Sequence, residues 1–169
     1  MSRGFVKEDD LLPPPVVPPR APLPPGVPNY VTPRGLGLLR AELVGLEADH
    51  ARLDATPTAD AQARTQELLI LNGRISALTT RLTSAKVVEP RTVADEVRFG
   101  AVVELHTANG APRRLTIVGV DEADAAAGRI AFTAPVARAL LGKRVGETIV
   151  LPGAPPTQPT TIAAIAYEG

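Results

Sequence analysis

Two stretches of this chain place apolar residues at alternating steps of three and four, and the short link between them leaves one way to arrange them. The first runs Leu36, Leu39, Leu43, Leu46 and Leu53, with His50 where the missing step falls, and the second runs Ala61, Arg64, Leu68, Leu71, Ile75, Leu78, Leu82 and Ala85. That spacing predicts two helices, each with a narrow apolar stripe. Between them, Pro57 cannot continue the first helix but suits the first turn of the second, with Thr56 placed to cap it. A link this short forces an antiparallel hairpin. Pairing outward from the turn sets Leu53 against Ala61, His50 against Arg64, Leu46 against Leu68, Leu43 against Leu71, Leu39 against Ile75 and Leu36 against Leu78. The seam is therefore apolar at its base and polar near its tip. His50 reads as a register-setting polar layer; as an acid-base residue or ligand it would have acids such as Asp49 and Asp54 within a turn but no nucleophile. The second helix outlasts the first by Leu82 and Ala85. It should run into whatever follows, and part of the hairpin's stability must come from that junction.

Ahead of the hairpin, 10 of the 18 prolines fall between Pro13 and Pro33. Such a segment cannot sustain helix or sheet ladders and is expected to be a disordered, extended tail with few fixed contacts. It reads as a semi-rigid spacer, the alternative being a docking ligand for a proline-reading groove. Composition narrows the chemistry further. With no cysteine, disulfides, thiol nucleophiles and thiolate metal sites are excluded, and two histidines, His50 and His106, do not make a His-rich metal site. Five aromatic residues are too few for a base-stacking platform or an aromatic-lined pocket. Lys and Arg total 18 and so do Asp and Glu, so whole-chain charge supplies no drive toward nucleic acid or an anionic membrane. No apolar run approaches the roughly 20 residues that span a bilayer, and prolines and charges interrupt any signal-like stretch at the amino end. These features describe a cytoplasmic protein with no cofactor.

From Val97 onward the punctuation changes to that of strands: Ala101 to His106, Asn109-Gly110 as a turn, Arg114 to Val120, then Arg129 to Phe132, Thr148 to Leu151 and Thr160 to Tyr167. One short helix interrupts them, starting at Pro135, ending at Leu141 and stopped by Gly142. A short helix on one face of a mostly antiparallel sheet makes an α+β domain of about 70 residues. The boundaries fall at 1–30 for the proline-rich tail, 31–88 for the hairpin and 89–169 for the C-terminal domain.

The residues of that domain carry a resemblance. Phe99-Gly100-Ala101-Val102-Val103, then Ile117-Val118-Gly119-Val120-Asp121-Glu122-Ala123-Asp124, then Ala134 through Glu147 with Pro135, Arg138 and Gly142-Lys143-Arg144, resemble the C-terminal domain of the bacterial transcript-cleavage factors GreA and GreB. Upstream, Val31-Thr32-Pro33-Arg34-Gly35 followed by Leu39, Glu42-Leu43 and Leu46 is similar to the way that family opens its coiled coil, and Ala85-Lys86-Val87-Val88 to its exit. The opening Ser2 to Asp10 is similar to the leader of some relatives. The resemblance implies an FKBP-like domain, a monomer, and RNA polymerase as partner. In that family the domain docks on the rim of the polymerase secondary channel while the coiled coil reaches inward. The docking element carried onto this chain is Thr133-Ala134-Pro135 with Arg138, where Thr133 stands in place of an acid found in some members.

The tip departs from the family. Cleavage-stimulating members carry an acidic motif, Asp-x-x-Glu-Asn-x-Glu-Tyr, whose first two carboxylates help hold a second metal ion that activates water. This chain lacks it. Between Leu46 and Val88 it is also about a dozen residues shorter than the family pattern, which at roughly 1.5 Å per residue withdraws the tip by about 9 Å. Asp54 and Asp60 flank the tip and read as helix-end charges, with a shared metal as the alternative. The expectation is an elongation factor that is not itself an enzyme and does not efficiently stimulate cleavage. A true cleavage factor and an FKBP-like prolyl isomerase or chaperone are the alternatives. Arg113-Arg114 and Lys143-Arg144 allow at most a weak, salt-sensitive contact with nucleic acid.

Overall fold

A computed structural model describes residues 13–168. The hairpin is built from α1 (Pro33–Ala55) and α2 (Ala61–Ser84). Thr32 caps α1, its Oγ1 accepting the Gly35 N–H at 2.9 Å, and Pro33 occupies the first turn, where a missing N–H costs nothing. Leu39, Leu46 and Leu78 are buried in the seam, with Leu36, Leu43, Leu71, Ile75 and Leu82 packed around them. The predicted apolar stripe is therefore the buried one, and at the tip Arg64 reaches the Leu53 carbonyl and Asp54. The cap of the second helix differs from the expected one. α2 begins at Ala61 with Asp60 as its N-cap, while the Thr56 hydroxyl turns back to the Arg52 carbonyl at 2.6 Å and closes the first helix instead. A carboxylate beside the free N–H groups of α2 outcompetes a hydroxyl placed four residues too early.

At the base, β1 (Asn29–Val31) and β2 (Ala85–Val87) pair in parallel, Tyr30 opposite Lys86. The C-terminal domain contains β3 (Ala101–Thr107), β4 (Arg113–Val118), β5 (Arg129–Ala131), α3 (Pro135–Leu140), β6 (Thr148–Ile149) and β7 (Thr160–Tyr167). Their order across the sheet is β5-β4-β3-β7-β6, antiparallel throughout except for the β4–β5 pair. α3 covers one face, sending Ala137 and Leu140 into a core with Val97, Val103, Leu105, Ile117 and Ile162. Alternation along β3 turns Ala101, Val103 and Leu105 inward, as period-two strands require, and a register shift against β7 lets both Ile162 and Ile165 join them. Among the described residues no helix is long and apolar enough to cross a membrane.

The proline-rich stretch from Pro13 to Pro28 forms neither helix nor strand, as its composition requires. It is not a tail without contacts, however. The Arg20 guanidinium ion-pairs with Glu42 at 2.8 Å and with Asp121 at 2.9 Å, because a single arginine inside a proline run finds two carboxylates converging at the hairpin base. The opening Ser2 to Asp10 of the family resemblance lies outside the described residues.

Candidate functional site

Among the described residues three places bring chemistry-bearing side chains together, and the richest is the junction between hairpin and domain. Asp121 and Glu122 follow the buried end of β4 and bond different partners at the hairpin base. Asp121 Oδ2 accepts from Arg81 at 2.8 Å and its Oδ1 from Arg20. Glu122 Oε1 accepts from Arg34 at 2.9 Å and Arg129 at 3.3 Å, and its Oε2 accepts the Thr32 hydroxyl at 2.5 Å. Both carboxylates are nearly sealed, their side chains 6% and 2% exposed. α1 has no acid in its own first turn. Glu122 supplies the missing negative charge from another domain, at the end of the helix where the dipole is positive.

Two glycines make this approach possible. A Cβ at Gly35 would lie 2.7 Å from Glu122 Oε2, and one at Gly119 would lie 2.5 Å from the Tyr30 carbonyl oxygen. The Tyr30 ring then meets Phe99 and Phe132, with centroid separations of 5.9 and 5.6 Å, and those two meet each other at 5.5 Å. Three of the chain's five aromatic residues thus join hairpin to domain, packed mutually edge-on or tilted as ring quadrupoles favour. Phe99 also borders a cavity shared with Thr32, Arg34, Glu122 and Arg129.

The second place is the loop leading into α3. Phe132 N–H bonds the Val118 carbonyl at 2.9 Å and Ala134 N–H bonds the Ala131 carbonyl at 2.9 Å, so the loop is fastened to β4 and to itself. Thr133 and Ala134 are half-buried, while Pro135 and Arg138 are exposed. Ala134 is the N-cap residue and offers no side-chain bond to the helix. The four residues singled out from the sequence are therefore contiguous at one rim, with a rigid proline and a guanidinium facing outward.

The tip is the third. Asp60 Oδ1 accepts the Ala63 N–H at 2.9 Å, and Asp54 pairs with Arg64 at 3.3 Å. Arg64 also donates from Nε to the Leu53 carbonyl at 3.1 Å, closing the end of α1, and Asp49 pairs with Arg52. Each tip carboxylate thus has a local partner. Among the described residues no three His, Asp or Glu side chains converge as a metal site would need.

The junction is not legible in the sequence alone. Asp121 and Glu122 were visible only as part of a family pattern, with no role. The available signal was an acid pair directly after the apolar Ile117-Val118-Gly119-Val120 run, facing a hairpin whose base carries Arg34 and Arg81. Its meaning depends on partners up to 101 positions away.

The sequence has relatives among known proteins. Residues 92–167 match the family described as "Transcription elongation factor, GreA/GreB, C-term". The chain is 34% identical over 140 residues to the transcription elongation factor GreA of Ralstonia nicotianae, covering 73% of this chain and 89% of that one. To the GreB of Neisseria meningitidis serogroup A it is 34% identical over 137 residues, covering 73% and 84%. To the GreA of Acidiphilium cryptum it is 38% identical over 102 residues, and there it spans 64% of the relative's length. Among solved structures it is similar to the GreA factor homolog Gfh1 of Thermus thermophilus, at 24% identity, covering 83% of this chain and 98% of that one, with a TM-score of 0.38. Long alignments to both named branches, together with the matched C-terminal domain, mean that the chain belongs to the GreA/GreB family of transcription elongation factors.

Proposed function

We propose that the protein binds bacterial RNA polymerase at the rim of its secondary channel and modulates elongation without efficiently stimulating transcript cleavage. Docking falls to Thr133, Ala134, Pro135 and Arg138, and the hairpin extends inward from there. The observation that carries this reading is the state of the tip. Asp60 is engaged with the N-terminus of α2 and Asp54 with Arg64, so neither carboxylate is held ready for a metal, and a magnesium ion tolerates little error in oxygen geometry. The protein is then a binding factor and not an enzyme, acting as a monomer in the cytoplasm.

One feature favours the cleavage-factor reading: Asp54 is 66% exposed and held by a single 3.3 Å ion pair, which a competing cation would break cheaply. An isomerase reading has less support, because Tyr30 packs against both Phe99 and Phe132 and those two rings pack against each other. Nucleic-acid contact through Arg113, Arg114, Lys143 and Arg144 stays weak, and Arg114 already faces Glu168 at 3.6 Å.

The test is a backtracked elongation complex, scored for both binding and transcript shortening. Binding without shortening is the expected result. Pro135→Ala combined with Arg138→Glu should weaken binding by more than about 1 kcal/mol, since an exposed anchor and a guanidinium are the groups that interfaces concentrate their energy in. Unchanged affinity removes the docking loop from the reading, and rapid magnesium-dependent shortening by the unaltered protein removes the claim of inefficient cleavage.

A further inference from the structure

Burial from Val17 to Pro25 repeats every third residue. Val17, Arg20 and Leu23 are partly buried, while Pro18, Pro19, Ala21, Pro22, Pro24 and Pro25 are exposed. Three residues per turn is the repeat of a polyproline II helix, which such a proline content enforces and which keeps one edge in register with a surface. The sequence Val-Pro-Pro-Arg-Ala-Pro-Leu-Pro-Pro is thus one inward residue followed by two outward ones, three times over.

Two of the inward residues have built seats. Val17 lies over Gly73, in the middle of α2, where a Cβ would come within 2.5 Å of Val17 Cγ2. Glycine inside a helix lowers its stability relative to alanine, and the Val17 side chain accounts for its presence. Arg20 makes a two-pronged bond to Glu42 of α1, Nη1 to Oε1 at 2.8 Å and Nη2 to Oε2 at 3.0 Å, while Nε and Nη2 reach Asp121 Oδ1 of the C-terminal domain at 3.1 and 2.9 Å. Arg81 of α2 completes the arrangement by donating to the Ala21 carbonyl at 2.6 Å and to Asp121 Oδ2 at 2.8 Å. One guanidinium therefore joins three parts of the chain. A bidentate arginine fixes direction as well as distance.

We infer that residues 17–23 are an intramolecular latch, a polyproline edge seated on the hairpin whose Arg20 fixes the inclination of the hairpin to the C-terminal domain. The segment is neither a spacer nor a ligand for another protein's groove, because the chain supplies its own reader. The proline edges stay outward, and the ordering cost of seating the segment is small because proline has already removed most of its freedom.

Two experiments on the full chain test this. The first is a thermal-melting cycle. Gly73→Ala should lower Tm in the otherwise unaltered protein, because the new methyl group evicts Val17. In a Val17→Ala background it should raise Tm, because only the gain in helix propensity remains. A rise of equal size in both backgrounds would show that Val17 has no seat at Gly73 and would overturn the proposal. The second uses the absence of cysteine in the chain: cysteines placed at Ala59 in the tip and Ala108 in the β3–β4 turn carry spin labels, and the width of their distance distribution reports hairpin inclination. Arg20→Gln and Glu42→Gln should each broaden it. An unchanged width in both would mean that the segment is seated but latches nothing, which also overturns the proposal.

Discussion

The hairpin has two ends that differ in every physical respect. At the base, Leu39 and Leu78 are buried, β1 pairs with β2, and Asp121 and Glu122 draw in Arg20, Arg34, Arg81 and Arg129. At the tip, every residue from Asp54 to Ala63 is exposed, and the polar groups are satisfied by their near neighbours in sequence. One end is held by contacts that span up to 101 positions and the other by contacts that span no more than 11. A lever has this distribution: a rigid pivot at the domain and a far end that touches nothing of its own protein. Substitutions should therefore act as stability changes near the base and as changes of function, if any, near the tip.

The sharpest test of that contrast is leucine against leucine. Leu78→Ala, at a position with no exposed area, should cost about 2–5 kcal/mol, the range for emptying a closed aliphatic site. Leu53→Ala, half-buried beside the tip, should cost about 1 kcal/mol or less, because the loose end collapses around the loss. Denaturant titration of the two variants decides it, and equal costs would break the comparison. Next in size comes Glu122→Gln. It keeps the shape but removes the charge that faces Arg129 and the start of α1, and we expect a loss of about 2 kcal/mol, typical of a bond to a charged group, tempered because Arg34 is 54% exposed. A neutral outcome would mean that the aromatic trio and β1–β2 hold the junction without it.

How far the sequence reveals this contrast depends on the length of each signal. The seam is legible because its step of three and four repeats over more than six turns in all, and α3 because Pro135 and Gly142 bracket it. β7 could be read residue for residue from Thr160 to Tyr167. β1 and β2 are three residues each, shorter than any period can show, and their parallel pairing joins positions 56 apart. Pro57 and Thr56 suggest a start for α2 four residues before the observed one, and Asp60, a helix-end charge by sequence, is the cap itself, which side-chain geometry alone decides. The latch was hidden in a different way. Among so many prolines a three-residue repeat looks like composition, and only the surface it lies on shows which of its edges matters.

A smaller effect follows from protonation of the latch. The Arg20 guanidinium holds the Glu42 carboxyl below its ordinary value of 4.5; partial burial opposes this and Arg74 assists it. A depressed folded value stabilises the protein above the unfolded value and loses that contribution as pH falls through the folded one. The groups around Glu42 are Arg20, Arg74 and, across the guanidinium, Asp121. The Tm of the unaltered protein should therefore exceed that of Glu42→Gln at pH 7, by the equivalent of under about 1 kcal/mol for a partly exposed pair, and the gap should close below pH 4.5. A gap that is constant with pH would assign the difference to shape and not to charge.

The least disturbance is expected at the tip itself. Asp54→Asn with Asp60→Asn removes both carboxylates, yet asparagine caps a helix as well as aspartate does, and an exposed ion pair such as Asp54–Arg64 contributes at most about 1 kcal/mol. Melting should shift by no more than a degree or two, and polymerase affinity should not change if docking lies with Pro135 and Arg138. Transcript shortening in a backtracked complex should stay at the low level of the unaltered protein, because side chains already committed to Ala63 N–H and Arg64 have little catalysis to lose. If the unaltered protein instead shortens transcripts strongly with magnesium and the double variant binds equally well but does not, the two ends of the hairpin would exchange importance. The tip would then lend its carboxylates to the reacting phosphate, a loss felt in the transition state and not in docking, and the base would serve only to aim it.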